Sequence, residues 1–370
     1  MTLKELAHAA QQHLQSSVGF SLKKSHIYEL LAASIGFNSY AAFKSEMVFT
    51  LHTESDNPIP PKAEDLPRRF IELGYPSETA TLAASGLQAF LAVKRVGAVN
   101  ILDLINSMRD EFSIYSEYLD ASDVSPFDYS DPDWANTLLL NGLEKAAAKD
   151  NGNANYALAL IYSSETSHWQ VSEGSAYWFE QVQQGRTLAG TEKEWADAYE
   201  TSLNRAMKHK HHLREAGRQS VPLALLDLAA KFGDPTFFDQ SYQNVDVDPA
   251  EIAAIAEQIG HTSGAKYWLT IAAECGNTEA MLELIEAYDR EDLVRSWSWV
   301  YLSQLVGTDL SKSAHYAIHE DGSLYDDDIG GPMFVDGRDG VELDPISSEQ
   351  HAEAKRTAEI LFERIQHQGN

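Results

Sequence analysis

Three histidines crowd one short stretch of the chain: His209, His211 and His212, with Lys208, Lys210 and Arg214 beside them. On a helix, positions 209 and 212 share a face, a spacing at which two imidazoles can meet one metal ion. The neighbouring cations oppose a further positive charge, so the stretch reads as a solvated basic patch suited to an acidic neighbour. Asp128, Asp131 and Asp133, and separately the run from Asp336 to Asp344, could draw Ca²⁺ by charge. Neither has the calcium loop's Gly at position six and Glu at position twelve, and both read as solvated acidic loops. The segment Gly260-His261-Thr262-Ser263-Gly264 contains the letters of a nucleophile elbow in the wrong order and reads as a turn. Cys275 is the only cysteine. It rules out an internal disulfide, and its place late in a helix predicts a buried or half-buried small apolar residue. No glycine-rich phosphate loop ending in Gly-Lys-Ser/Thr is present. The expectation is therefore no catalytic residue, no cofactor, no metal and no enzymatic activity.

Charge narrows the partners. Among 370 residues, 56 are acidic and 28 basic, a formal net charge of −28. Nucleic-acid affinity comes largely from cations replacing condensed counterions, so most of this chain should avoid DNA, RNA and anionic lipid. Basic proteins would be drawn in quickly. No apolar run approaches the roughly 20 residues a membrane-crossing helix needs. The first residues lack the apolar core of a signal peptide. The chain is expected to be cytoplasmic, without membrane contact.

The elements that would position these residues are helices. Residues 1–48 form a distinct unit in which Leu3, Leu6, Ala10 and Leu14 recur at helical spacing, followed by Ile27, Leu30, Leu31 and Ile35. Gly36 ends the second series and Ser39 is placed to cap Tyr40-Ala41-Ala42-Phe43. The pattern Ser25-His26, Glu29-Leu30-Leu31-Ala32-Ala33, Gly36-Phe37, Ser39-Tyr40-Ala41-Ala42 resembles a short N-terminal helical module found on diverse bacterial proteins. Lys4, Lys23, Lys24 and Lys44 against Glu5, Glu29 and Glu46 leave this unit slightly positive, so the acidity lies in the rest of the chain. Residues 49–67, with Pro58, Pro60 and Pro61, read as a linker. Residues 68–136 read as helical, including a helix from Ala98 to Tyr118, and end in an acidic loop.

Beyond residue 136 one pattern recurs. Ala147-Ala148 precede Gly152-Asn153, Ala229-Ala230 precede Gly233-Asp234, and Ala272-Ala273 precede Gly276-Asn277. The three glycines stand 81 and 43 residues apart. A degenerate copy with Trp178-Phe179, Gly185, Trp195-Ala196 and Tyr199 fills the longer interval. Paired alanines let helices approach closely, glycine supplies a positive φ at the helix end, and Asn or Asp caps the next helix. Such a hairpin cannot bury its own apolar face, whereas stacked neighbours can. The segment from Gly264 to Leu284, with Ala265, Trp268, Ala272, Ala273, Gly276, Asn277 and Ala280, resembles a Sel1-like repeat, and Ser296-Trp297-Ser298-Trp299 resembles the start of another. The Gly-x-Gly-Val loop usual between repeats of that family is missing. The resemblance implies an all-α fold, an α/α superhelix (a Sel1- and TPR-like solenoid) over residues 137–310. Residues 311–346 read as an acidic loop region. Residues 347–370 read as a C-terminal capping helix with Ala354, Ala358, Leu361 and Ile365 on one face.

These features predict a protein–protein interaction scaffold or adaptor, in a narrower form one that neutralises a basic partner as an immunity- or antitoxin-like protein would. The residues expected to meet that partner are Glu117, Asp120, Asp123, Asp128, Asp131, Asp133 and Trp134, in a stretch without Lys or Arg. The alternative is a DNA-linked regulator that uses residues 1–48 as a helix-turn-helix, with the repeats as a sensor.

Overall fold

A computed structural model describes residues 1–19, 22–51, 65–118, 136–163, 173–240, 245–325 and 331–368. The chain is mostly helical and divides into two compact units, Met1–Leu225 and Leu226–Asn370.

The first unit opens with α1 (Leu3–Val18), α2 (Lys24–Ser34) and α3 (Tyr40–Glu46), followed by β1 (Met47–Leu51). Thr2 and Glu5 close a reciprocal capping box at the start of α1, and Ser39 caps α3 by accepting from Ala42 N–H at 3.1 Å. Next come α4 (Leu66–Glu72), α5 (Ser77–Val93), β2 (Val96–Asn100) and α6 (Ile101–Tyr118). The apolar faces of α1, α2, α4 and α5 meet in one core with Phe43, Phe49 and Ala98. Residues 1–48 therefore share their core with the segment that follows. Lys23 N–H and His26 meet the Tyr75 hydroxyl, and Arg69 pairs with Glu29 at 2.8 Å.

Two expectations change here. The linker reading began at residue 49, yet Phe49, Thr50 and Leu51 belong to β1. The helix expected from Ala98 begins instead at Ile101, because Val96-Gly97-Ala98-Val99-Asn100 pairs antiparallel with β1, Phe49 opposite Ala98. Two valines and a glycine favour a strand once a partner strand is available. The Asn100 side chain then accepts from Leu102 N–H at 2.8 Å and starts α6.

The first unit continues with α7 (Thr137–Ala147), α8 (Gly152–Ile161), α9 (Glu173–Gln183) and the 28-residue α10 (Thr191–Arg218). Asn136 fastens α7 at its start. Its amide donates to Thr50 Oγ1 (2.9 Å) and the Leu51 carbonyl (3.0 Å), while its Oδ1 accepts from Leu138 and Leu139 N–H. In the α7–α8 turn the residues expected to do the work are displaced by two positions. Asp150 carries the positive φ of 59° and Asn151 caps α8 through Ala154 N–H; Gly152 is already helical. Glycine is required at 152 for a different reason: a Cβ there would stand 2.7 Å from Val221 Cγ2.

The histidine stretch on α10 is solvated only in part: Lys208, Lys210, His211 and Arg214 are exposed, whereas His209 and His212 turn inward. His209 is buried and donates to the Ala159 carbonyl at 2.8 Å. Arg205 donates to the Ile161 carbonyl at 3.0 Å, and His212 Nδ1 lies 3.0 Å from Asn155 Oδ1. His209 and Arg205 thereby satisfy carbonyls of the last turn of α8, where cations and donors are favoured. Burial, reinforced by His211 and Lys208, pushes the His212 pKa down to about 4. The unfolded chain then binds a proton between pH 6.5 and 4 that the folded unit refuses, so stability falls as pH drops through that window. The expected loss is about 1–2 kcal/mol, allowing for the half-buried position of the ring. Hydrogen exchange of α8 and α10 measured against pH checks this, and His212→Gln should flatten the acid limb.

Helix α11 (Pro222–Phe232) leads into the second unit, which contains α12 (Thr236–Asp239), α13 (Pro249–Gln258), α14 (Thr262–Glu274), α15 (Thr278–Glu283) and a π-helical turn (Leu284–Tyr288). After these come α16 (Leu293–Val306), β3 (Ala314–Ile318), β4 (Phe334–Arg338) and α17 (Ser348–Gln368). Among the described residues no helix is long and apolar enough to cross a membrane.

Candidate functional site

The second unit is built from helix ends that close themselves. Gly233 (φ 68°) is followed by Asp234, which accepts from Thr236 N–H, and Gly276 (φ 98°) by Asn277, which accepts from Glu279 and Ala280 N–H. The turn at Gly260 uses the same device with a residue the sequence reading passed over. There His261 Nδ1 accepts from Gly264 N–H at 3.0 Å and caps α14. Helix α13 packs against α14 and α16 against α17, and Ala272, Ala273, Ala354 and Ala358 are buried. Cys275 corrects an expectation: it is exposed, because it is the C-cap of α14 on the outer side of the turn.

Behind these turns lies a buried ionic node that no sequence pattern announced. The π-helical turn closes with Asp289 N–H donating to the Leu284 carbonyl at 2.6 Å, one residue wider than an α-turn. Asp289, 1% exposed, faces Lys266 at 2.7 Å, Arg295 at 3.0 Å and Trp299 Nε1 at 3.0 Å. On the same turn, the Tyr288 hydroxyl donates to Glu257 at 2.8 Å. Burial, followed by a hydrogen bond with Glu257, raises the Glu283 carboxyl to about 7. Burial, followed by Glu257, pushes the Tyr288 phenol up to about 12. The node joins α14, α16 and the π-helical turn.

The exposed chemistry lies on the β3–β4 ladder, inside the region read as an acidic loop. Ala314 to Ile318 pair antiparallel with Arg338 to Phe334. The base of the ladder is tied firmly: the Arg338 guanidinium donates to the carbonyls of Asp309, Leu310 and Lys312 at 3.1–3.2 Å. Hydrogen bonds from Ser311, Gln304 and Lys312 hold the Asp309 carboxyl far below the usual carboxylate range. Glycine at 337 is required, with φ 122° and the Ala314 carbonyl lying where a Cβ would go. The tip, by contrast, is apolar and open. Leu324 is 73% exposed, Val335 69%, Met333 60%, and Tyr316 and Phe334 nearly half. Glu320 and Asp321 follow β3 and Asp336 lies within β4, while Asp339 and Glu342 add acidity at the base of the ladder. Among the described residues β4 pairs with β3 alone.

Of the residues expected from sequence to meet a partner, Asp120, Asp123, Asp128, Asp131, Asp133 and Trp134 lie outside the described residues. Glu117 falls in α6 but its side chain lies outside them. The apolar ladder was missed because its strands are short and its acidic, glycine-bearing sequence has the composition of a loop. The alternation of His315, Tyr316, Ala317 and Ile318 was the one available signal. No family model, curated protein or solved structure matches this chain.

Proposed function

We propose that this chain is a protein-interaction scaffold whose helical hairpins, in a Sel1-like arrangement, present a docking surface for a basic partner. The single observation that carries this reading is the β3–β4 ladder, with a fixed base, an exposed apolar tip and an acidic surround. An isolated two-stranded ladder is marginal in water, and burying such a tip against a partner would stabilise both. An extended segment carrying Lys or Arg fits best: it can add to β4 as a further strand, set apolar side chains on Phe334 and Val335, and neutralise the acidic rim. The acidic stretch from Glu117 to Asp133 would speed the encounter through its charge. The DNA-linked alternative is less well supported, because residues 1–48 are built into a larger core and α3 has only seven residues.

The test uses the full chain as bait in its native host, in parallel with a Met333→Glu/Val335→Glu variant. Both positions are exposed, so the fold should be unaffected by circular dichroism. A stoichiometric protein partner is expected with the parent chain, recovered at least about tenfold less with the variant, as removal of an interface anchor predicts. Equal recovery would remove the ladder as the surface, and repeated recovery of no partner would remove the scaffold reading.

A further inference from the structure

The first unit contains a cavity that the interaction reading does not use. The chain from Tyr40 to Leu51 runs antiparallel to Asn136–Asn151 and touches it at three places. Asn136 bonds Thr50 and Leu51, Gly142 meets Val48 (a Cβ there would stand 3.1 Å from Val48 Cβ), and the Asn151 amide donates to the Ser45 carbonyl at 3.0 Å. Above this line of contact the two segments part and leave a trough of about 770 Å³. Small-molecule sites span about 300–1,000 Å³. Its floor is apolar: Leu3, Phe43, Met47, Phe49 and Leu138, all buried.

Its rim is cationic. Lys44 reaches it from the last turn of α3, while Lys145 and Lys149 reach it from the end of α7. In a protein with twice as many acids as bases, none of the three forms an ion pair among the described residues. Lys145 donates to Asn141 Oδ1, and Lys44 lies over the Tyr40 ring. Asp150 is the one carboxylate on the lining. Two of the ammonium groups disturb each other, Lys44 lowering the Lys149 pKa, while burial followed by Lys4 lowers that of Lys145. A lysine near a helix C-terminus is favourable by itself. That preference does not account for lysines from two helices meeting over one apolar floor at mutual electrostatic cost.

We propose that this trough binds a small anionic amphiphile, its apolar body on Phe43, Met47 and Phe49 and its anionic head between Lys44, Lys145 and Lys149. The trough is tied across at the Asn136 and Asn151 ends and has the volume of a small ligand, which favours such a molecule over a peptide. An anionic head relieves the repulsion between Lys44 and Lys149, and the apolar body finds apolar side chains to lie against.

Calorimetric titration of the full chain with decanoate tests this. Saturable one-to-one binding is expected, with decanol, of equal length but uncharged, at least about tenfold weaker. Lys44→Gln and Lys149→Gln should each weaken decanoate about tenfold, since neither lysine holds a structural ion pair. Ala148→Phe, which places a ring at the exposed rim, should abolish binding while leaving the circular dichroism spectrum unchanged. Absence of saturable decanoate binding, equal affinity for decanol, or lysine variants that bind as the parent does would each overturn the proposal. So would finding an acidic peptide bound there in preference to decanoate. A self-association seen by sedimentation and lost in the Lys44→Gln/Lys149→Gln variant would overturn it in favour of a second copy of the chain.

Discussion

Replacing Asp289 with alanine is expected to destabilise the second unit by about 3 kcal/mol, more than any other single polar substitution in it. The carboxylate is buried, accepts from the Trp299 indole N–H and stands in ion-pair range of Lys266 and Arg295. Its removal leaves a buried indole donor unpaired and two like charges facing each other across a small cavity. The cost falls at the lower end of the range for a broken buried pair because Lys266 and Arg295 are each about 40% exposed and can turn toward water. Asp289→Asn keeps the volume and an acceptor for Trp299, and should cost about half as much. Denaturant titration read through hydrogen exchange in α14 and α16 checks both variants. A midpoint unchanged within about 0.5 kcal/mol would mean that the node behaves like an exposed ion pair. The backbone should respond as well. The wide turn at Leu284–Tyr288 sets Asp289 against its partners, so its amides should lose protection first.

The second large effect is expected at Asn136 in the first unit. One side chain makes four hydrogen bonds, two as a cap on α7 and two as a donor to β1. A lost cap costs about 1 kcal/mol and each lost neutral bond about 1 kcal/mol, so Asn136→Ala should cost about 2–3 kcal/mol. Leu138 and Leu139 beside it are buried, which leaves little room for water to replace the missing groups. Asn136→Ser retains a cap but cannot reach Thr50, and should recover about 1 kcal/mol of the loss. If serine and alanine variants unfold at the same denaturant concentration, the cap contributes nothing and the contacts to β1 carry the whole effect.

These two residues also mark the limit of what the sequence discloses. Signals contained within three or four residues were legible: Ser39 capping α3, Gly276 and Asn277 between α14 and α15, and the buried face Ala354, Ala358 and Leu361 on α17. The capping box of Ser347 and Gln350 is of the same kind. Each rests on a bond between near neighbours, so the residue type alone implies the geometry. Where the partner lies far along the chain, the local pattern misleads. Ala98 to Asn100 reads as helix until β1 is set beside it, and His209 reads as solvated until the end of α8 arrives to accept its proton. Asp289 gives no local hint, since its inward direction comes from a turn one residue wider than the helical period. The ladder was hidden by composition: acids and glycines suggest a loop, while the strand pairing depends on residues about twenty positions away.

The self-closing turns of the second unit bear on how such a chain can change over time. Because Asp234, His261 and Asn277 each satisfy the first amides of the helix they precede, no hairpin relies on its neighbour to complete its backbone. A helix can gain or lose a turn, or a connecting segment can lengthen, at the cost of local packing alone. Drift in length is thereby tolerated at these three junctions, and a lineage built this way would keep its turn chemistry while the lengths of the helices between the turns changed.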